Sequence, residues 1–518
     1  MSSILRRAAI GLFVCCGTAL SAQSDTLIGH YLRTISQHDL RRHLEVIASD
    51  AYEGRETGLK GQKMAAIYLR TAFQDMGIPP VPDWQAKGLL EPGYEQPFDL
   101  EVLAPGALRL VVDGTPTTFL QDQFHLNQRV TRDTVHQEII VVGRGGPEAY
   151  GALDVKGRAV LVVDPGADKE QDRVSSFFSA TSRCTAAARS AGASLLIYAT
   201  PDAPGLMKEL GHYLSGERMS LKDDAERKEP AKGLQLIIVD RSVAERILAR
   251  GGLRWKQALR MKRVGRSIPC TLSLEHRPQV RQLRSENVLG YVQGTDLKDE
   301  LVVVTAHYDH IGVDGGEVYN GADDDGSGTV ALLEMAEAFV RARNEGHGPR
   351  RSVLFMPVSG EEKGLLGSQY YGENPVFPLE NTIADLNIDM IGRVDSAHAS
   401  SAPYVYIIGS DRLSTQLHRI NEEANAAHVR LDLDYTFNAA NDPNRFYYRS
   451  DHYNFARKGV PVIFYFSGVH EDYHQPGDEV ERIRFDLLEQ RARLVFATAW
   501  ELANRDERIL VDKPVESE

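Results

Sequence analysis

Two adjacent carboxylates, Glu361 and Glu362, stand behind Gly360 at the end of the apolar run Val353-Leu354-Phe355-Met356-Pro357-Val358. Such a run reads as a buried strand, and charge at its end is costly unless something neutralises it. A metal ion is the usual neutraliser. Other potential ligands follow other apolar runs: His307 and Asp309 come after Leu301 to Ala306, Asp389 closes Ile383 to Ile388, and His474 comes after Val460 to Phe466. Asp324 lies in the glycine-flanked acidic stretch Asn320-Gly321-Ala322-Asp323-Asp324-Asp325-Gly326-Ser327-Gly328. Taken alone, that stretch is a solvated acidic loop; its glycines let the backbone turn tightly enough to bring one carboxylate inward. Gathered at one edge of a sheet, these residues make the arrangement a two-metal hydrolase needs.

At 518 residues the chain is too long for one ordinary core, and two or three domains are expected. Residues 36–78 read as two helices, the first opened by Ser36 and Asp39 and striped by Leu40, Leu44 and Ile47. From 105 to 285 the pattern is short strands with turns, interrupted by one small-residue helix around Cys184 to Ala191. After 286 strands and helices alternate, with Leu332, Met335, Ala336, Phe339 and Val340 on one side of the helix 328–343. This alternation predicts an α/β fold with a largely parallel, doubly covered sheet. The first two helices need that sheet to pack on, so 23–104 and 286–518 read as one domain and 105–285 as an insertion.

The set His307-x-Asp309, Gly321 to Gly328, Gly360-Glu361-Glu362, Asn387-Ile388-Asp389-Met390-Ile391-Gly392 and Tyr473-His474-x-Pro476-x-Asp478 resembles the secreted co-catalytic di-zinc aminopeptidases, a family that also includes glutamate carboxypeptidases. The resemblance covers 30–100 and 286–500. It implies the di-zinc exopeptidase fold and a metal-dependent aminopeptidase acting on peptides. Two zinc ions are implied, with manganese or cobalt as substitutes, which suits a donor set of imidazole and carboxylate without thiolate. Asp324 then bridges both ions, His307 and Asp389 complete one site, and Glu362 and His474 complete the other. Glu361 matches the general acid/base, Asp309 the residue that orients the His307 ring, and Tyr473 a phenol near the scissile carbonyl. Residues 105–285 resemble a mainly-β protease-associated domain, on Asp154-Val155-Lys156-Gly157 leading into Arg158 to Val162, and on Ala186 to Ala193 leading into Ser194 to Tyr198.

Several alternatives are set against this reading. A carboxypeptidase or dipeptidase on the same site needs a cation for the terminal carboxylate, for which Arg393, Arg445 and Arg449 are candidates. A glutaminyl cyclase uses one zinc on the same fold, and five ligand positions argue for more; a catalytically dead binding module would have lost some of them. Ser450-Asp451-His452 is contiguous, which is wrong for a serine triad, and the 321–328 glycines lack the Lys-Ser/Thr of a phosphate cradle. His310 and His470 read either as residues supporting the ligands from behind or, as the favoured reading, as exposed polar residues beside the motifs. A net charge of −13 disfavours nucleic acid, and the basic residues between Arg254 and Arg266 read as a solvated helix face followed by a strand.

Residues 1–22 have the basic start, short apolar centre and small-residue end of a secretory signal, so a secreted or periplasmic protein with no membrane span after processing is expected. Cys184 and Cys270 remain after its removal and are able to form one disulfide in such a compartment. The side-chain preference, the native metal and the oligomeric state stay open at the level of sequence.

Overall fold

The computed structural model describes residues 27–82, 93–125, 133–151, 153–167, 172–222, 234–261, 265–400 and 403–515. The signal-like segment 1–22 lies outside them. The chain divides into two compact units, residues 1–100 with 283–518, and residues 101–282.

The first unit is built on seven strands: β1 (Gly290–Val292), β2 (Leu297–His307), β3 (Arg351–Val358), β4 (Thr382–Ile388), β5 (Tyr404–Ile408), β6 (Asp432–Asp434) and β7 (Val462–Phe466). They are ordered β1-β3-β2-β4-β7-β5-β6. The central four, β3-β2-β4-β7, are mutually parallel, while β1 on β3 and β5 on β7 are antiparallel. All eight residues of β3 and all seven of β4 are buried, as continuous apolar strands covered on both faces must be. Parallel pairing aligns the strand ends: His307 pairs with Val358 and Ile388 with Tyr465. The segments that leave β2, β3, β4 and β7 therefore all emerge at one edge, where crevices form in open α/β sheets.

Among the described residues, helices that cover the sheet or lead to its edge include α1 (Gln37–Ile47), α2 (Lys60–Asp75), α3 (Gly328–Asn344), α4 (Leu366–Glu373), α5 (Thr415–Ala424), α6 (His452–Ala456) and α7 (Phe485–Asn504). The Ser36 hydroxyl accepts from the Asp39 backbone N–H and opens α1, as its sequence suggests. One core holds Leu40, Leu69, Leu332, Phe339 and Phe496 against Val302, Val304 and Phe355; the other holds Val303, Leu354 and Phe464 against Tyr371 and Phe455. The sheet is doubly covered. Helices α5 and α7 were not singled out from the sequence. Helix α7 is buried along most of its length, Arg491 included, so it lacks the one-sided stripe by which an amphipathic helix is recognised.

The second unit has a nine-stranded sheet with a parallel run, Thr134–Val141, Ala159–Val163, Leu195–Thr200 and Gln235–Asp240. Where one small-residue helix was expected, the described residues contain Arg173–Ser190, Ala203–Ser215 and Arg241–Arg250. Of the basic stretch, Trp255–Ala258 is a short helix and Arg266 opens a strand. Cys184 and Cys270 do not pair: both thiols are free and buried. Cys184 packs with Val160 and Val162, and Cys270 with Ala159 and Leu161. Successive strand residues point to opposite faces, so the sheet itself separates the two sulfurs.

One buried polar group of the first unit carries a pH signature. Glu334 of α3 is 2 % exposed and lies 3.7 Å from His43 Nε2, whose Nδ1 is 2.7 Å from the Tyr68 hydroxyl. Burial, with Asp39 and Glu337 adding to it, pushes the Glu334 carboxyl up to about 8 from its ordinary 4.5. A carboxyl raised on folding binds its proton more tightly in the native state, so its contribution is present below 4.5 and lost as pH climbs towards 8. Glu334→Gln is expected to remove this loss. In denaturant unfolding at pH 5 and pH 8.5, the variant should gain on the parent by about 1.4 kcal/mol per pH unit across that window. A stability difference independent of pH would contradict it.

Candidate metal centre

His307 ends β2 and is 1 % exposed. Its Nδ1 lies 3.0 Å from the backbone carbonyl of Asp309, which leaves Nε2 facing inward. That nitrogen is 3.1 Å from Asp324 Oδ1, 3.6 Å from Asp389 Oδ1 and 4.0 Å from Glu361 Oε2. On the other side, His474 Nε2 is 3.1 Å from Asp324 Oδ2 and 3.2 Å from Glu362 Oε2. The two oxygens of Asp324 thus address two different histidines. His307, Asp324, Glu362, Asp389 and His474, distant from one another in the chain, come together. His307 Nε2 has no hydrogen-bond partner.

Glu361 and Tyr473 stand at the same place. Both line a small crevice with Asp324, Asp389, Met390, Phe446, Phe464 and Phe466. The Tyr473 ring stacks on that of His474, centroids 3.9 Å apart, and its hydroxyl oxygen accepts from Arg449 Nη2 at 3.4 Å. Burial raises the Glu361 carboxyl well above the ordinary range; the His307 charge opposes this and the Glu362 carboxylate reinforces it. For Asp324 burial acts in the same direction, but His307 and His474 outweigh it and hold the group well below its ordinary value. Asp309 reaches the ring of His307 through its carbonyl. Its carboxylate is 3.8 Å away and instead accepts from the Thr57 hydroxyl at 2.6 Å and the Glu361 backbone N–H at 3.3 Å.

The remaining carboxylates are held by backbone N–H groups. Asp325 accepts from the N–H of His307, Gly328 and Met390, and Asp478 from those of Asp323 and Asp324. Asp323 accepts from Gly392 N–H at 2.6 Å. The acidic stretch is therefore not a solvated loop: Asp323, Asp324 and Asp325 are all buried. His310 and His470 are corrected as well. His310 is wholly buried with Nδ1 2.8 Å from Glu362 Oε1, and His470 is buried with Nε2 3.2 Å from Asp323 Oδ2. Close spacing to a motif was the signal that pointed at both.

Three residues at the site were not read from the sequence for what they do. The Ser450 hydroxyl donates to Asp389 Oδ2 at 2.6 Å and accepts from Asn387 Nδ2, so the first residue of Ser450-Asp451-His452 holds the Asp389 carboxylate. Thr57 holds Asp309. Arg55, fully buried, donates to the carbonyls of Ile47, Tyr308, Asn320 and Gly321. Burial works against its charge, and Asp309, Asp478, Asp324 and Asp325 support it. Among the carboxypeptidase candidates, Arg393 is buried and paired with Asp472 at 2.9 Å, and Arg445 sits over the Tyr448 ring.

The donor set fits a cation. Carboxylate and imidazole atoms converge at 3.1–3.6 Å from one another, with His307, Asp324 and Asp389 buried and the His474 side chain 38 % exposed, and the inward His307 Nε2 makes no aligned hydrogen bond. Uncompensated carboxylates at such separations are expensive in a buried site. Two groups of potential ligands stand out, His307 with Asp325 and Asp389, and His310 with Asp324 and Glu362.

Comparison with known proteins agrees with this geometry. Residues 287–499 match the family described as Peptidase family M28. The Bacillus subtilis aminopeptidase YwaD is 28 % identical over 232 residues, 43 % of this chain and 46 % of that protein. Leucine aminopeptidase 1 of Penicillium rubens is 31 % identical over 212 residues, 40 % and 53 % of the two chains. The chain spans about half the length of the curated relatives it matches. The solved aminopeptidase from Aneurinibacillus sp. strain AM-1 superposes with a TM-score of 0.55 over 94 % of this chain and all of that one, at 17 % identity, which establishes a shared fold.

Replacing Arg55 tests how far the centre depends on its frame. Arg55→Met takes its donors from four buried carbonyls, of which only Gly321 O keeps another, the Gly326 N–H, and should cost at least about 3 kcal/mol in denaturant unfolding. A loss under about 1 kcal/mol would contradict the assignment.

Proposed function

We propose that this protein is a zinc-dependent aminopeptidase that releases N-terminal residues from peptides. The observation that carries the reading is the Asp324 carboxylate, with one oxygen 3.1 Å from His307 and the other 3.1 Å from His474. A single carboxylate shared between two ligand pairs is what a two-ion centre requires. The M28 match and the aminopeptidase relatives support the same class.

In this reading His307, Asp324 and Asp389 would hold one zinc, and Asp324, Glu362 and His474 would hold the other. When bound, the ions supply Lewis acidity towards the peptide carbonyl and acidify water. Glu361, off the ligand set but beside it, takes the proton of the attacking water on its carboxylate and delivers it to the leaving amine. Tyr473 directs its hydroxyl at the developing oxyanion; since Arg449 donates to its oxygen, the phenolic proton is free to point into the crevice. Asp309 fixes the His307 ring through its carbonyl and the Glu361 backbone through its carboxylate, so ligand and base are tied to one residue. The aromatic wall of Phe446, Phe464 and Phe466 excludes water from one side. Residues 1–22 act as an export signal, 23–104 with 286–518 form the peptidase domain, and 105–285 form a protease-associated insertion.

Glu361→Gln should keep its zinc by elemental analysis yet lose about 10²–10⁴-fold in kcat on a free-amino chromogenic amide; a near-normal kcat would sink the role. An N-blocked peptide should not be cleaved. Tyr473→Phe should lower kcat by about 10²-fold with KM little changed. An effect on KM alone would instead make Tyr473 a binding residue.

A further inference from the structure

His310 has no task in the chemistry above, yet its environment is among the most constrained in the molecule. The residue is 0 % exposed, and neither ring nitrogen has a hydrogen-bond partner. Its backbone N–H donates to Arg55 O at 3.2 Å, which fixes where the side chain starts. Gly321 packs against the ring: a Cβ at that position would fall 2.5 Å from Cγ and Cδ2 of His310. The space for this imidazole is therefore kept by the glycine that precedes the acidic stretch.

The ring faces one carboxylate oxygen above all. Nδ1 is 2.8 Å from Glu362 Oε1, while Asp324 Oδ2 is 3.9 Å away, beyond hydrogen-bond reach. Glu362 Oε1 is itself buried and without a partner. A donor and an acceptor, each buried and each otherwise unserved, lie at contact distance with their directions not yet aligned. The other oxygen, Oε2, is the one that meets His474 Nε2. Asp389 is divided in the same way, since Oδ1 faces His307 and Oδ2 is held by the Ser450 hydroxyl. Carboxylates that bind metal are commonly held by their outer oxygen, and removing such a partner lowers metal affinity.

We propose that His310 is a positioning residue for Glu362: its Nδ1–H holds Oε1, leaves Oε2 directed at the ion shared with His474, and so sets the affinity of that side of the centre. The proposal rests on the two-zinc reading. It assigns each outer ligand carboxylate its own holder, Ser450 for Asp389 and His310 for Glu362, and it makes the two ion sites separately adjustable.

The test is zinc binding to the metal-depleted full chain, measured by chelator competition in the parent, H310A and H310N, with thermal unfolding of each metal-free protein alongside. The parent should take two ions. H310A should weaken one of them by about 10–100-fold and leave the other unchanged, and H310N, whose amide N–H can donate, should recover part of the loss. Unchanged binding of both ions in H310A, equal weakening of both, or H310N binding no better than H310A would overturn the proposal. Should H310A fail to fold, the comparison of H310N with H310Q decides, because only the shorter amide keeps a donor at the Nδ1 position and should retain the second ion better. A parent that takes fewer than two ions would overturn the metal reading itself, and the proposal with it.

Discussion

Carboxylates crowded into a buried edge repel one another, and the architecture around residues 307–478 is arranged to make that crowding tolerable. The groups divide into two kinds by what they accept from. Asp323, Asp325 and Asp478 take backbone N–H donors, so their charge is spread into the loops they hold. Asp324, Glu362 and Asp389 turn oxygens towards imidazole nitrogens and towards each other. The first kind builds the frame; the second is left facing a space that only cations can make favourable. Arg55 supplies one fixed positive charge behind this edge while its N–H groups tie four carbonyls together.

This division bears on how far the frame of the centre extends along the chain. The family match covers 287–499, yet Arg55 and Thr57 come from the connection between α1 and α2, far upstream in the chain. Thr57 holds the carboxylate of Asp309, which in turn holds the Glu361 backbone. The segment with the recognisable motifs therefore depends on the connection between α1 and α2 for the placing of Glu361. Those helices also close one face of the sheet, so stability and chemistry draw on the same interface.

Much of this was legible in the sequence, for a physical reason. Strands β2, β3, β4 and β7 are continuous apolar runs, and a charged residue directly behind such a run is conspicuous; His307, Glu361, Glu362 and Asp389 stand there, whereas His474 lies across a loop from Phe466 and was marked by its neighbours Tyr473, Pro476 and Asp478. What escaped were residues whose partners are distant in the chain. Ser450, Arg55 and His310 look like ordinary polar residues until tertiary structure sets them beside Asp389, Tyr308 and Glu362. His310 and His470 read as exposed because burial of an imidazole leaves no local trace. Helix α7 was passed over since it is enclosed almost all round, and the cysteines because pairing depends on which face of a sheet each occupies.

The central claim is that Asp324 stands between two metal ions. Anomalous diffraction at the zinc edge from crystals of the zinc-loaded protein tests it most directly. The account predicts two peaks on either side of the Asp324 carboxylate, one beside His307 and Asp389 and the other beside Glu362 and His474. A single peak, or density centred away from Asp324, would contradict it.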